Sequence, residues 1–148
     1  MILPDIVFNL KSLTFVRHSY PVPAGEFPGS DLDRPLSEKG VEAAKALNEA
    51  LAATLAETDV VLISDALRVA QTLKHLTNLS KKAEVRVVKA LYDCSAGQLY
   101  NIILENQQGV GHLLVIGHNP SLSQLYSMLS GDFTALSPAQ SRTLVMKP

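Results

Sequence analysis

The chain is short of cysteine, of net charge and of long apolar runs. One cysteine, Cys94, in 148 residues excludes a disulfide framework and fits a reducing compartment. A formal net charge of −1 gives no basic field for nucleic acid and no cationic face for an acidic membrane. No apolar run approaches the roughly 20 residues of a membrane helix. The start, Met1-Ile2-Leu3-Pro4-Asp5, lacks a basic segment and a long apolar segment, so no signal peptide is expected. The chain is therefore expected to be cytoplasmic, with neither nucleic acid nor membrane as partner. Gly109-Val110-Gly111 is too short for a phosphate loop, and no Walker or dinucleotide fingerprint is present. The four histidines do not share metal-ligand spacing.

What is present is an ordinary globular composition, 47% hydrophobic and 18% charged, enough for a sizeable core. Residues 1–148 are expected to form one domain, with 1–12 as an N-terminal extension. Apolar strand-like runs alternate with helical patterns. Leu13 to His18, Val60 to Ser64, Val85 to Val88 and His112 to Gly117 read as strands, and Ser141 to Met146 can add a last one. Ser37 reads as an N-cap for a helix carrying Val41, Ala44, Leu47, Leu51 and Leu55. A second helix is predicted from about Ala66 to Asn78, with Leu67, Ala70, Leu73 and Leu76 on its apolar face. Ser95 and Gln98 form a capping box for a third. Asn119 as N-cap and Pro120 at the first helical position open a fourth, which Gly131 closes. Residues 20–36, with Pro21, Pro23, Pro28 and Pro35, must be a loop. This alternation predicts an α/β fold, a three-layer α/β/α sandwich around a mostly parallel or mixed sheet.

Ligands of open α/β sheets bind outside the carboxyl ends of the strands. Arg17-His18 ends the first strand, Arg68 opens the helix after a middle strand, and Gly117-His118-Asn119-Pro120 links a late strand to its helix. Two arginines and two histidines at one edge suit a phosphoryl group. Guanidinium forks bind its oxygens bidentately, and a neutral imidazole nitrogen can accept phosphorus. Helix N-termini add backbone donors.

These three blocks together resemble the histidine phosphatase (phosphoglycerate mutase-like) superfamily. Arg17-His18-Ser19 stands for its Arg-His-Gly. Ser64 to Thr72 stands for its Ser-x-x-x-Arg-Ala-x-Gln-Thr, with Val69 at the alanine position, and Gly117-His118 stands for its Gly-His. The short length and Asp33-Arg34-Pro35-Leu36-Ser37-Glu38-Lys39-Gly40 are most similar to the SixA-type phosphohistidine phosphatases. The resemblance implies a phosphoglycerate mutase-like fold and His18 as nucleophile. It places Arg17, Arg68 and His118 around the phosphoryl group, with Arg34 added from the loop. It implies a ping-pong reaction through phospho-His18, without metal or other cofactor, because the guanidinium groups supply the charge. The partner it implies is a phosphohistidine-containing protein. A small phosphorylated metabolite such as a sugar phosphate is the alternative, and a mutase or a non-catalytic phosphate-binding module fits less well.

Two positions are left open by the resemblance. Ser19 replaces the usual glycine, and its side chain either crowds the turn or adds a hydroxyl to the pocket. Asp93 lies near where many members of the superfamily place a general acid, but an aspartate there is more often a turn or cap residue before Ser95. Arg34 likewise has an ordinary reading as a solvated loop residue. His75 and His112 match no motif and are expected to be structural or exposed, and Cys94, without a histidine partner, is not expected to act as a thiol nucleophile.

Overall fold

A computed structural model describes residues 8–146. Of the expected N-terminal extension, residues 1–7 lie outside the described residues, as does the Met1–Asp5 start. From Phe8 onward the segment packs into the protein, with Phe8 and Leu10 buried.

Five strands form one mixed sheet in the order β3-β2-β4-β1-β5. They are β1 (Ser12–Arg17), β2 (Val60–Ile63), β3 (Glu84–Val87), β4 (His112–Gly117) and β5 (Ser141–Val145). All pairings are parallel except β1 with β5. The central strands are buried on both faces, which is why they read as unbroken apolar runs. Their alternate residues feed two cores. Leu13, Phe15, Leu62, Leu113 and Val115 pack with α4 (Ala96–Asn106) and α5 (Ser121–Ser130). Val16, Val61, Ile63, Leu114 and Ile116 pack with α1 (Glu38–Ala50), α2 (Ala52–Glu57) and α3 (Leu67–Lys74). The expected three-layer sandwich is therefore present. No helix of the described residues is long and apolar enough to cross a membrane.

Several helix signals in the sequence act as read. The Ser37 hydroxyl accepts from the Gly40 N–H at 3.0 Å. Ser95 and Gln98 form the reciprocal capping box. Gly131 closes α5 in the left-handed region, with φ 79°, and its N–H reaches the Ser127 carbonyl. The last helix begins slightly later than expected, at Ser121, yet Asn119 still caps it, its Oδ1 accepting from the Ser123 N–H and hydroxyl.

Two expectations need correction. The first helix after the loop is not continuous to Leu55; it breaks at Leu51 into α1 and α2. The second concerns α3, which stops at Lys74 and turns inward only part of the predicted face, Leu73 and Leu76 packing on the core. Leu67 and Ala70 are exposed, whereas Arg68, Val69 and Thr72 are buried. Leu76 is buried beyond the helix end. Val69 joins the core under the sheet, while Arg68 and Thr72 form polar contacts with the loop and the end of β1. Polar tertiary partners of Arg68 and Thr72, together with Val69 and Leu73 on the core, set the rotation of this short helix.

Candidate active site

Strand register assembles the site. Val16 and Ile63 both pair with Ile116, so Arg17, Ser64 and Gly117 lie at one level of the sheet, followed by His18 and His118. The connections to α3 and α5 are short, residues 64–66 and 118–120, and start both helices at this edge. A cavity of about 510 Å³ opens there. Arg17, His18, Arg34, Arg68, His118 and Asp93 all border it, together with Asp31 and Tyr92. The six candidate site residues of the sequence thus lie at one cavity. A larger hollow, about 750 Å³, lies at the opposite edge of the sheet; among the described residues that line it, Lys11, Glu57 and His112 are the ionisable ones, and they form no cationic cluster.

His18 is buried, and its Nδ1 donates to the Ser19 carbonyl at 2.7 Å. That bond fixes the tautomer and leaves Nε2 with its lone pair. His118 is also buried; its Nε2 pairs with the Ser64 hydroxyl at 2.8 Å, so Nδ1 is the nitrogen left for a ligand. The two rings stand 5.1 Å apart between centroids. Tyr92 meets the His118 ring edge-on at 5.4 Å, and the Arg68 guanidinium lies 5.8 Å from the Tyr92 ring centre.

The arginines are tethered but not saturated. Arg17 Nη1 donates to the Leu136 carbonyl at 3.0 Å, which also accepts from Asn119 Nδ2 at 2.9 Å. Arg68 Nη1 and Nη2 donate to the Asp31 carbonyl at 2.7 Å and carboxylate at 3.0 Å. The Nε atoms of Arg17 and Arg68 are buried without a hydrogen-bond partner among the described residues. Buried unpaired donors are costly, and their presence beside an open cavity fits an anion that supplies the missing acceptors.

The turn after His18 resolves the question of Ser19. Its side chain is fully buried, donates to the Gly40 carbonyl at 2.6 Å and does not line the cavity. Its N–H donates to the Thr72 hydroxyl at 3.0 Å. Ser19 therefore binds the turn to α1 and α3 and adds no hydroxyl to the pocket. Asp93 borders the cavity but is exposed, with no hydrogen bond or ion pair among the described residues. Cys94 is half-buried outside the cavity lining, and His112 is tied to the Ser12 hydroxyl at 2.7 Å. Arg34 is held in place, its Nε and Nη2 on Asp31 Oδ1 and its Nη1 on the Val22 carbonyl.

Asp31 and Tyr92 escaped the sequence reading. Asp31 accepts from Arg34, Arg68 and the Tyr92 hydroxyl. The only local signal was its position three residues before Arg34, and Tyr92 merely adjoined the candidate Asp93.

The sequence matches the profile of the histidine phosphatase superfamily (branch 1) over residues 13–114. The chain belongs to the histidine phosphatase superfamily. The matched stretch ends before Gly117-His118, which the fold itself brings to the cavity. An uncharacterised protein of Mycobacterium tuberculosis, Rv1276c, is 37% identical over 101 residues. That alignment covers 68% of this chain and 62% of the relative, so the chain spans less than two thirds of its length. Among solved superfamily structures, a candidate phosphohistidine phosphatase SixA from Agrobacterium tumefaciens superposes with a TM-score of 0.79 at 20% identity, covering 92% of each chain. A protein histidine phosphatase SixA complexed with tungstate gives 0.67 at 26% identity, over 78% of this chain and 74% of that one. A mycobacterial glucosyl-3-phosphoglycerate phosphatase complexed with VO3 gives 0.67 at 16% identity, over 90% of each.

Electrostatics at this superfamily site favour neutral imidazoles. Burial, reinforced by Arg68, Arg17 and Arg34, lowers His18 to about 4 despite its bond to Ser19. Burial, with His18 and Arg68 nearby, lowers His118 to about 3. Tyr92's hydroxyl first, then Arg34 and Arg68, hold the Asp31 carboxyl well below the usual carboxylate range. In ¹⁵N NMR of the ligand-free protein, both rings are expected to stay neutral at pH 7 and to protonate only near pH 4 or below. A titration near 6.5 contradicts this arrangement. An unfolded chain binds more protons on these histidines between pH 6.5 and 4, so stability should fall as pH drops through that window.

Proposed function

We propose that this protein is a metal-independent phosphatase that removes phosphoryl groups from phosphohistidine on a partner protein, through a phospho-His18 intermediate. The observation that carries the reading is His18, with Nδ1 bound to the Ser19 carbonyl and Nε2 free at a cavity bordered by three arginines and His118. At pH 7 the imidazole is neutral, as a nucleophile must be.

In the first step the Nε2 lone pair bonds to phosphorus and the phosphorus–nitrogen bond of the substrate breaks. Arg17 and Arg68, whose Nε donors lack acceptors, take the equatorial oxygens, with Arg34 and His118 Nδ1 beside them. A phosphohistidine ring protonated on its other nitrogen leaves as neutral imidazole. In the second step water bonds to phosphorus, the bond to Nε2 breaks, and phosphate departs with one proton of the water released.

The acids of the pocket favour a phosphorus–nitrogen substrate. An alkoxide leaving group needs a positioned acid, worth ~10²–10⁴-fold. Asp31 is held ionised by its partners, and Asp93 is exposed and unheld. Neither is prepared to protonate an alkoxide, whereas imidazole needs little help.

The test offers phosphohistidine peptide and a panel of phosphomonoesters, sugar phosphates included, to the wild type and Asp93→Asn. The expected result is a preference in kcat/KM for phosphohistidine and little change on that substrate in the variant. A loss of a hundredfold or more on both classes would make Asp93 an essential acid and favour the phosphomonoesterase reading. Absence of turnover on any substrate would leave a phosphate-binding module.

A further inference from the structure

Of the two carboxylates that border the cavity among the described residues, Asp31 is the one tied to the arginines, and its partners come from three separate elements. Arg34 binds it side-on, Nε at 3.1 Å and Nη2 at 2.9 Å from Oδ1. Arg68 of α3 places Nη2 at 3.0 Å from Oδ2 and Nη1 at 2.7 Å from the Asp31 carbonyl. The Tyr92 hydroxyl donates to Oδ2 from the loop before α4. This arrangement decides which edge of the Arg68 guanidinium remains for a ligand. Arg68 spends both terminal nitrogens on Asp31 and keeps Nε, buried and without an acceptor.

We propose that Asp31 is the positioning residue of the anion site. It brings two like-charged guanidinium groups together on one carboxylate, fixes the loop that carries Arg34 against α3, and turns the Nε edge of Arg68 to the phosphoryl group. Without it, mutual repulsion and side-chain entropy drive Arg34 and Arg68 apart in the ligand-free protein. Arg34 then loses its defined place, because only the Val22 carbonyl still holds it. Asp31 touches neither phosphorus nor leaving group in this scheme; it acts through the arginines. The side chain is 47% exposed and belongs to neither apolar core, so its replacement is expected to leave the core packing intact.

The inference rests on the pocket being an anion site, as proposed above, but not on the identity of the phosphorylated partner. The experiment therefore reads anion binding directly. Tungstate affinity is measured by calorimetry for the wild type, Arg34→Ala, Asp31→Asn and the double variant, with thermal unfolding as a check on folding. Asp31→Asn is expected to weaken tungstate binding by roughly 10- to 100-fold with a near-unchanged Tm, and Arg34→Ala by roughly tenfold. The double variant should bind as weakly as Asp31→Asn alone, because Arg34 contributes only when Asp31 orients it. Asp31→Glu, which keeps the charge, should recover part of the affinity and provides the comparison if the Asn variant unfolds. Additive losses overturn the proposal, as does tighter binding by Asp31→Asn, which would show the carboxylate competing with the ligand for the arginines. Failure of the functional reading looks different: the coupling between Asp31 and Arg34 persists while phosphohistidine is not turned over.

Discussion

Alanine in place of His18 is expected to lower kcat for phosphohistidine peptide by on the order of 10⁴–10⁶-fold, the scale of removing a covalent nucleophile. Substrate should still bind, since Arg17, Arg34, Arg68 and His118 remain at the cavity. Wild-type protein trapped during turnover of labelled substrate should retain label after a base quench and lose it in acid, as phosphohistidine does. In His18→Ala the base-stable label should vanish. Label that survives the substitution would place the covalent intermediate elsewhere, and near-normal turnover would remove it from the mechanism. The burial of His18 makes thermal unfolding of the variant a necessary companion measurement.

Gly40→Ala is expected to destabilise the protein and to disturb catalysis from a distance. A Cβ on Gly40 would stand 2.0 Å from the Tyr20 carbonyl oxygen, a backbone atom that cannot rotate away. That oxygen also accepts from the Ser37 N–H and hydroxyl at the start of α1. The Gly40 carbonyl in turn accepts from Ser19, the residue next to His18. Relieving the overlap therefore moves the turn that fixes the nucleophile. Overpacking of this kind costs about 1–3 kcal/mol or more, and each kcal/mol lowers Tm by about 2–4 °C in a chain this long. kcat/KM should fall alongside. Gly25→Ala, where nothing lies within 4 Å of the added carbon, is the control and should leave both quantities unchanged. Equal behaviour of the two variants would mean that α1 shifts freely relative to the His18 turn.

The strands were legible because each buried central strand is an apolar run with a sharp end, and β4 begins and ends at the residues expected. The helix caps were legible because Ser37, Ser95 and Gly131 act on groups within a few residues of themselves. The face of α3 was legible only in part, because Leu73 and Leu76 of its apolar stripe pack inward while the fold leaves Leu67 and Ala70 exposed. What turns that helix is the burial of Arg68 and Thr72 against residues far away in the chain.

The same division runs through the site. By itself the sequence determined that Arg17, His18, Arg68 and His118 gather at one sheet edge, since they end parallel strands or open the following helices. Only the tertiary structure decided how they are used: the His18 tautomer, the turning of Ser19 into α1, the freedom of Asp93 and the seating of Arg34 on Asp31. Asp31 meets Arg68 and Tyr92 across 37 and 61 residues of chain, through a proline-rich loop with no periodic pattern. Strand ends follow from local periodicity, but a carboxylate's partners follow from where a loop packs, and that is set by contacts the linear order does not encode one at a time.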